Sequence, residues 1–232
     1  MTTPTAGPYG TPDAPLLAVR GETTLEVDPE IARLGITVTA RGRDRRTTLD
    51  DLTRRNATVL DLVKSYGDAV ENLSTGAVSI TPELTHRGRG EHVRTYHGNV
   101  HLTADLTDFT ALGELTTRLA DLDLTRVDGP WWELRPDSPV HRQARRQAVR
   151  AAVQRAHEYA EALGATVAAL LELTDTGTQG PRPRAAFDRR AVRMSVAAAE
   201  TEAAPEALDL EPRRLRVQAE VSAVFTMVPP RL

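Results

Sequence analysis

Hydrophobic and polar residues alternate through several stretches of this 232-residue chain, and such alternation predicts β-strands with one buried face. The alternation is clearest over 31–40 and over 215–228, where every second residue from Val217 to Met227 is apolar. Further strands are predicted over 16–27, 71–85, 92–106, about 126–134 and 168–173. The alternation therefore predicts seven β-strands along the chain.

Apolar residues at helical spacing predict two amphipathic helices between these strands. The first is expected to start at Thr48 as its N-cap and to end before Gly67, and the second to start at Asp108. The buried face of the first helix is predicted to consist of Leu49, Leu52, Val59, Leu62, Val63 and Tyr66.

A third, longer helix is predicted to begin at Ser138, because a capping residue is followed there by Pro139 at the first helical position. It is expected to end at Gly164. Alanine recurs along it every four residues, from Ala144 to Ala160, and forms a ridge of small side chains. Such a ridge allows another backbone to pack closely against the helix.

The order of elements predicts an α+β fold in two subdomains. Residues 31–137 run strand, helix, strand, strand, helix, strand, which is typical of a ferredoxin-like split βαβ plait with both helices on one face of an antiparallel sheet. Residues 15–30 and 138–232 are expected to form a second α/β subdomain that contains the alanine-ridged helix. Residues 1–14 are predicted to be a flexible tail, and about 174–205 an exposed loop.

Composition excludes several classes of function. The chain has 29 Lys and Arg residues against 32 Asp and Glu residues, so its net charge of −3 predicts no specific nucleic-acid partner. No cysteine is present, which excludes disulfides, thiolate catalysis and cysteine-based zinc sites. No apolar run is long enough for a transmembrane helix, and the first ten residues do not resemble a secretion signal, so a cytoplasmic location is expected.

The sequence contains none of the common catalytic or nucleotide-binding motifs. His97 and His101 lie four residues apart in one strand, and about 13 Å separates such positions, too far for both to bind one metal ion. Solvated or hydrogen-bonded histidines are the preferred interpretation over a metal site with His86 or His92. No catalytic residue, metal site or cofactor is therefore predicted.

Two features mark a candidate interaction surface. Trp131 and Trp132 are adjacent in a predicted strand and must point to opposite faces, so both are buried only if a second layer or another subunit covers the outer one. An arginine cluster follows Gly180; it is interpreted as a solvated loop that could dock on the acidic stretch 200–211 of another copy. The candidate residues are Trp131, Trp132, Arg182, Arg184, Arg189 and Arg190.

Several local motifs, taken in their order along the chain, resemble the SIMPL-domain family, which includes bacterial periplasmic and outer-membrane immunogenic proteins. The resemblance covers roughly 16–228. It depends on Val19–Glu22 with Val27–Ala32, Leu73–Gly76 leading to Ile80–Pro82, Tyr96 with Asn99–Val100, Tyr159–Gly164, and the alternation from Val217 to Phe225.

The family resemblance implies an α+β fold in two parts, self-association of some members into large hollow assemblies, a connection with envelope or stress physiology, and no established catalytic residues. A secretion signal is common in bacterial members and is not recognised here, and the stretch 180–193 has no counterpart in the family pattern.

The sequence thus predicts a non-catalytic, homo-oligomeric structural or stress-related protein. One alternative is a ligand-binding or hydrolytic protein with a pocket between the subdomains, near Trp131 or Trp132 and His97. A second alternative is an adaptor that docks partners through the loop 180–193.

Overall fold

The computed structural model describes residues 10–85, 92–179 and 207–230, and within these ranges it confirms the predicted mixture of helices and antiparallel sheets. The strands are β1 (Leu16–Val27), β2 (Ile31–Gly42), β3 (Val70–Thr85), β4 (His92–Leu106), β5 (Thr125–Glu133), β6 (Val167–Gln179) and β7 (Leu215–Met227). The helices are α1 (Arg45–Lys64), α2 (Phe109–Ala120) and α3 (Pro139–Ala162), with a short 3-10 turn at Gly67–Ala69.

The strands form two separate sheets, one of order β3-β4-β2-β5 and one of order β1-β7-β6. The chain accordingly divides into two compact units. Of the described residues, one unit comprises 10–28, 135–179 and 214–230 and holds the three-stranded sheet; the other comprises 29–85, 92–134 and 207–213 and holds the four-stranded sheet.

One face of the four-stranded sheet is covered by α1 and α2. Alternate residues of β2, from Ala32 to Ala40, and of β4, from Val100 to Leu106, are buried in a single apolar cluster with both helices. A repeat of two residues is expected for a sheet that has one face buried in the core. The helices contribute Leu52, Val59, Val63, Leu112, Leu115 and Leu119 to this cluster.

The start of α1 differs from the prediction, since Asp44 and not Thr48 is the N-cap. The Asp44 carboxylate accepts a hydrogen bond of 2.9 Å from the Thr47 amide, whereas the buried Thr48 hydroxyl donates to the Asp44 carbonyl oxygen at 2.7 Å. A carboxylate satisfies the free amides of the first turn and favours the helix dipole, so the helix begins four residues earlier than predicted. Leu49, predicted to be buried, is 44% exposed.

The predicted caps of the other two helices are confirmed. Asp108 accepts hydrogen bonds from the amides of Thr110 and Ala111, at 2.9 and 3.2 Å. Ser138 accepts one from the amide of Val140 at 3.3 Å, and Pro139 is the first residue of α3.

The three-stranded sheet packs on α3 through β1 and β7. Every second residue of β7, from Leu215 to Met227, is buried, and so are the five alanines of α3 that recur every four residues. A Cβ atom built on Gly21 of β1 would lie 2.1 Å from the Ala148 carbonyl oxygen and 2.5 Å from the Ala152 amide nitrogen. Strand and helix backbones are therefore in contact, which only glycine and alanine permit.

The strand β6 is longer than predicted. It pairs with β7 as far as Gln179, so the predicted start of an exposed loop at about 174 is wrong. The residues of 174–179 are polar and show no apolar alternation, but β7 supplies hydrogen-bonding partners along the whole strand. The rest of that predicted loop, 180–205, lies outside the described residues, as do residues 1–9 of the predicted tail.

Residues 207–213 belong to the unit of the four-stranded sheet. The Leu208 amide donates a 3.1 Å hydrogen bond to the Thr117 hydroxyl, and Leu210 packs against the apolar cluster. A Cβ on Gly113 would lie 2.1 Å from the Leu208 carbonyl oxygen, so this glycine lets the segment lie directly on α2.

Candidate functional site

The four-stranded sheet has a second face, opposite α1 and α2, which carries polar and aromatic side chains. These residues alternate with those of the apolar cluster in each strand, as the sheet register requires. We call this surface the outer face, and it consists of Arg33, Gly35, Thr37, Arg41, Asn72, Gly76, Glu83, Thr95, His97, His101, Asp105, Arg126, Asp128, Trp131 and Glu133.

The two tryptophans point to opposite faces of β5. Trp132 pairs with Ala32 of β2 and packs against the apolar cluster, where its ring meets Phe109 edge to face with centroids 4.9 Å apart. Trp131 pairs with Arg33 on the outer face and is 43% exposed. Within a single chain the Trp131 ring is therefore not fully covered, and its burial by another subunit stays a prediction.

Two aromatic rings meet above a glycine at the centre of the outer face. A point one Cβ bond above Gly35 lies 3.1 Å from Cζ3 of Trp131 and 3.3 Å from Cε1 of His101. The imidazole of His101 is also near Gly76 on β3, and its Nδ1 lies 3.3 Å from the Thr37 hydroxyl. Glycine at 35 thus leaves room for the indole and the imidazole to lie close to the sheet.

A charged network crosses one end of the outer face. Asp105, whose side chain is only 9% exposed, accepts hydrogen bonds from Nε and Nη2 of Arg33 at 2.7 and 3.3 Å and from the Asn72 amide at 3.3 Å. Arg33 also pairs with Glu133 at 2.9 Å. The hydrogen bond to Asp105 raises the pKa of Arg33 further above its usual value, against the opposing effect of burial. The network therefore joins all four strands.

A second polar cluster lies at the other end of β3 and β4. The Glu83 carboxylate accepts a hydrogen bond from Thr95 at 2.6 Å and lies 2.9 Å from both Nε2 of His97 and Nη2 of Arg41. These contacts, of which the Thr95 hydrogen bond has the largest effect, lower the pKa of Glu83 from 4.5 to about 2. Glu83 therefore stays ionised at a lower pH than an ordinary glutamate does.

His97 and His101 do not share a hydrogen-bonding partner. His97 contacts Glu83 and His101 contacts Thr37, so each ring has its own partner. Across residues 10–85, 92–179 and 207–230, no group of three or more histidine, aspartate and glutamate side chains converges as metal ligands would. Of the candidate interaction surface, Arg182, Arg184, Arg189 and Arg190 lie outside the described residues.

An apolar surface is found in the unit of the three-stranded sheet. The strand β6 is at the edge of that sheet, and Leu170, Leu171 and Leu173 are 52%, 54% and 46% exposed. Exposed apolar residues also occur in the C-terminal half of α3, at Val153 and Tyr159, and at its C-cap Leu163. We call the strand with its three leucines the β6 edge.

Sequence reasoning did not identify several of these residues. The alternation predicts Asp105 in a strand and gives it no partner, although an acidic residue between Ala104 and Leu106 is itself a signal that a buried carboxylate needs one. The partners of Glu83 come from β2 and β4, and nothing in the local sequence indicates them. The run Leu170-Leu171-Glu172-Leu173 was assigned to a strand, but its position at a sheet edge depends on the strand order.

Comparison with known proteins identifies relatives. A family model described as "SIMPL: Protein of unknown function (DUF541)" matches residues 17–225. A protein of Brucella melitensis biotype 1 named "26 kDa periplasmic immunogenic protein" is 24% identical over 166 residues. That alignment covers 68% of this chain and 66% of the relative, so the chain spans slightly less than two thirds of the relative's length.

No helix within the described ranges is both long and apolar enough to cross a membrane. The compartment predicted from the sequence stays a prediction, as does the number of subunits.

Proposed function

Since the chain belongs to the SIMPL family, a family of unknown function whose model matches residues 17–225, we propose that it is a non-catalytic protein that associates with copies of itself through the β6 edge. The observation that carries this proposal is the exposure of Leu170, Leu171 and Leu173 on an edge strand.

The β6 edge combines two properties that favour pairing with another chain. An edge strand presents unpaired backbone amides and carbonyls, which are a template for a further strand. Three leucines about half exposed within four residues add apolar surface that water disfavours. A second strand laid on β6 would satisfy the backbone groups and bury the leucines together.

The opposite edge of the same sheet is protected by charge. The strand β1 carries Arg20, paired with Glu220 at 3.1 Å, and Glu26, paired with Arg216 at 2.9 Å. Charged side chains along an edge discourage pairing between chains. The strand β6 carries Glu172 and Asp175 but, unlike β1, it also exposes three large apolar side chains, and this contrast supports association through β6.

The titratable groups support a non-catalytic function. Each acidic group whose pKa is shifted has a structural partner: Asp44 caps α1, Asp51 accepts hydrogen bonds from arginines of the same helix, and Glu83 joins three strands. A catalytic acid or base is usually perturbed by burial beside a cleft. The shifts of these three carboxyl groups come from pairing that stabilises helix and sheet. Burial raises the pKa of the Tyr66 hydroxyl, but that side chain packs against the apolar cluster of the four-stranded sheet.

We also infer that the four-stranded sheet with α1 and α2 is a ferredoxin-like plait. The order β3-β4-β2-β5, with every neighbouring pair antiparallel and both helices in one apolar cluster, supports this assignment.

Analytical ultracentrifugation of the full chain at micromolar concentration tests the association. The wild type is expected to sediment as a dimer or larger species, and Leu171→Lys to shift it towards the monomer because a charge enters the paired edge. The matched control is Val78→Lys, a residue 58% exposed on β3, an edge strand of the other sheet. A monomeric wild type, or equal effects of the two variants, would refute the proposal.

A further inference from the structure

The outer face carries an exposed aromatic platform that the proposed association does not use. Trp131 is 43% exposed although its neighbour Trp132 packs inside. The indole and the imidazole of His101 meet above Gly35, so the two rings extend across β5, β2 and β4. An exposed indole offers a large apolar ring face of negative potential, on which a ligand surface rich in C–H bonds can stack.

Planar polar groups flank the indole on both sides along β5. On one side, Nε and Nη2 of Arg126 donate to Asp128 at 2.9 and 2.7 Å. On the other, Arg33 pairs with Glu133 at 2.9 Å. The Asp128 and Glu133 side chains are 33% and 30% exposed, so both carboxylates can accept hydrogen bonds from outside the protein.

The charges of this surface are balanced within the protein. Arg33 is matched by Asp105 and Glu133, and Arg126 by Asp128. A polyanion such as single-stranded RNA binds through unpaired cations and would have to separate these pairs. The surface is therefore complementary to an uncharged ligand with an apolar face and many hydroxyl groups.

We propose that the outer face around Trp131 binds a neutral pyranose oligosaccharide. The axial C–H face of one sugar ring stacks on the indole, since the negative face of the aromatic ring attracts these C–H bonds. Hydroxyl groups of that ring and of the next donate to the Asp128 and Glu133 carboxylates and accept from Arg126 and Arg33. Gly35 is a positioning residue, because a side chain there would lift the indole from the sheet.

Isothermal titration calorimetry with cellohexaose, maltohexaose and chitohexaose tests this assignment on the full chain. At least one is expected to bind with a dissociation constant on the order of 1 mM or tighter. Trp131→Ala should weaken that binding at least about tenfold, and Gly35→Ala by severalfold. A Cβ at 35 would lie 3.1–3.3 Å from the indole and the imidazole and displace them. Tyr159→Ala, an aromatic residue 54% exposed on α3, is the matched control and should bind as the wild type does.

Two further measurements distinguish a saccharide from other ligands of the outer face. Raising the salt concentration should change saccharide affinity by less than about twofold, whereas RNA binding would fall steeply through counterion release. The chain has two tryptophans, so saccharide binding should quench fluorescence in the wild type and not in Trp131→Ala. No heat with any of the three hexaoses, unchanged affinity in Trp131→Ala, or preferential binding of an oligouridine would each overturn the assignment. Loss of self-association in Trp131→Ala would do so too, by showing that a second copy covers the face.

Discussion

The close contact between β1 and α3 leads to a sharp prediction about Gly21→Ala. The added methyl would lie 2.1 Å from the Ala148 carbonyl oxygen, 2.5 Å from the Ala152 amide nitrogen and 2.7 Å from the Ala152 Cβ. Two of these three atoms are backbone, so no side-chain rotation can make room. The helix must instead move away from the strand by about 1 Å to restore ordinary van der Waals separations.

The expected cost follows from that displacement. A gap of about 0.5–1 Å removes a quarter to a half of the dispersion energy of the atoms that separate, and overpacked cores typically lose about 1–3 kcal/mol. The five alanines of α3 that recur every four residues are 0–1% exposed, so the movement opens a densely packed interface. Alanine is favoured over glycine in a strand by about 0.5–1 kcal/mol, which partly offsets the loss. The free energy of unfolding should therefore fall by about 1–2 kcal/mol.

Urea unfolding monitored by circular dichroism measures this change. Gly76→Ala is the matched control, because its Cβ would be 3.4 Å from the nearest atom, and its stability should stay the same or rise slightly. The double variant Gly21→Ala with Ala152→Gly removes only the contact between side chains, so it should not recover the lost stability. A Gly21→Ala protein within about 0.5 kcal/mol of the wild type would show that strand and helix are not in backbone contact.

Three other outcomes follow from the charged groups. Asp105→Asn should lower the free energy of unfolding by about 2 kcal/mol in urea titrations, because it weakens the charge-assisted hydrogen bonds from Arg33 in a nearly buried position; an unchanged midpoint would contradict the described network. Because pairing lowers the pKa of Glu83 from 4.5 to about 2, its stabilising effect should be complete above pH 4.5 and be lost as the pH falls towards 2. Carboxyl NMR titration should show this pKa, and Thr95→Ala should raise it; a wild-type value near 4.5 would be inconsistent with the cluster. Asp108→Ala should lower the free energy of unfolding by about 1 kcal/mol, measured by thermal unfolding, because the α2 cap is lost. An unchanged stability would mean that Asp108 is solvated and does not cap the helix.

Strands and helix caps were largely predictable because their signals are local. The strand β4 has the predicted bounds, His92–Leu106, since its alternation and its flanking turn are both explicit in the sequence. The caps Asp108 and Ser138 were recognised for the same reason. Thr48 was mistaken for a cap because Asp44 precedes a polar first turn, in which no apolar residue marks the start of the helix.

The candidate site was much less predictable. Adjacent positions in a strand already require Trp131 and Trp132 to point in opposite directions. The exposure of Trp131, however, depends on what covers the outer face, and its proximity to His101 depends on the order of β5, β2 and β4. Residues distant in sequence meet there, and a single sequence contains no record of such pairs.

The sequence by itself determined the periodicities, hence which residues form strands and helices and which face of each is apolar, because these follow from a repeat of 2.0 or 3.6 residues. The sequence also indicated the SIMPL family, because its turns and alternating strands follow one another in the order typical of that family. Only the tertiary structure decided which strand lies at an edge, which carboxylate meets which arginine, and where glycine must allow two backbones to touch. Those features depend on distances between segments far apart in the chain, and local propensities do not encode such distances.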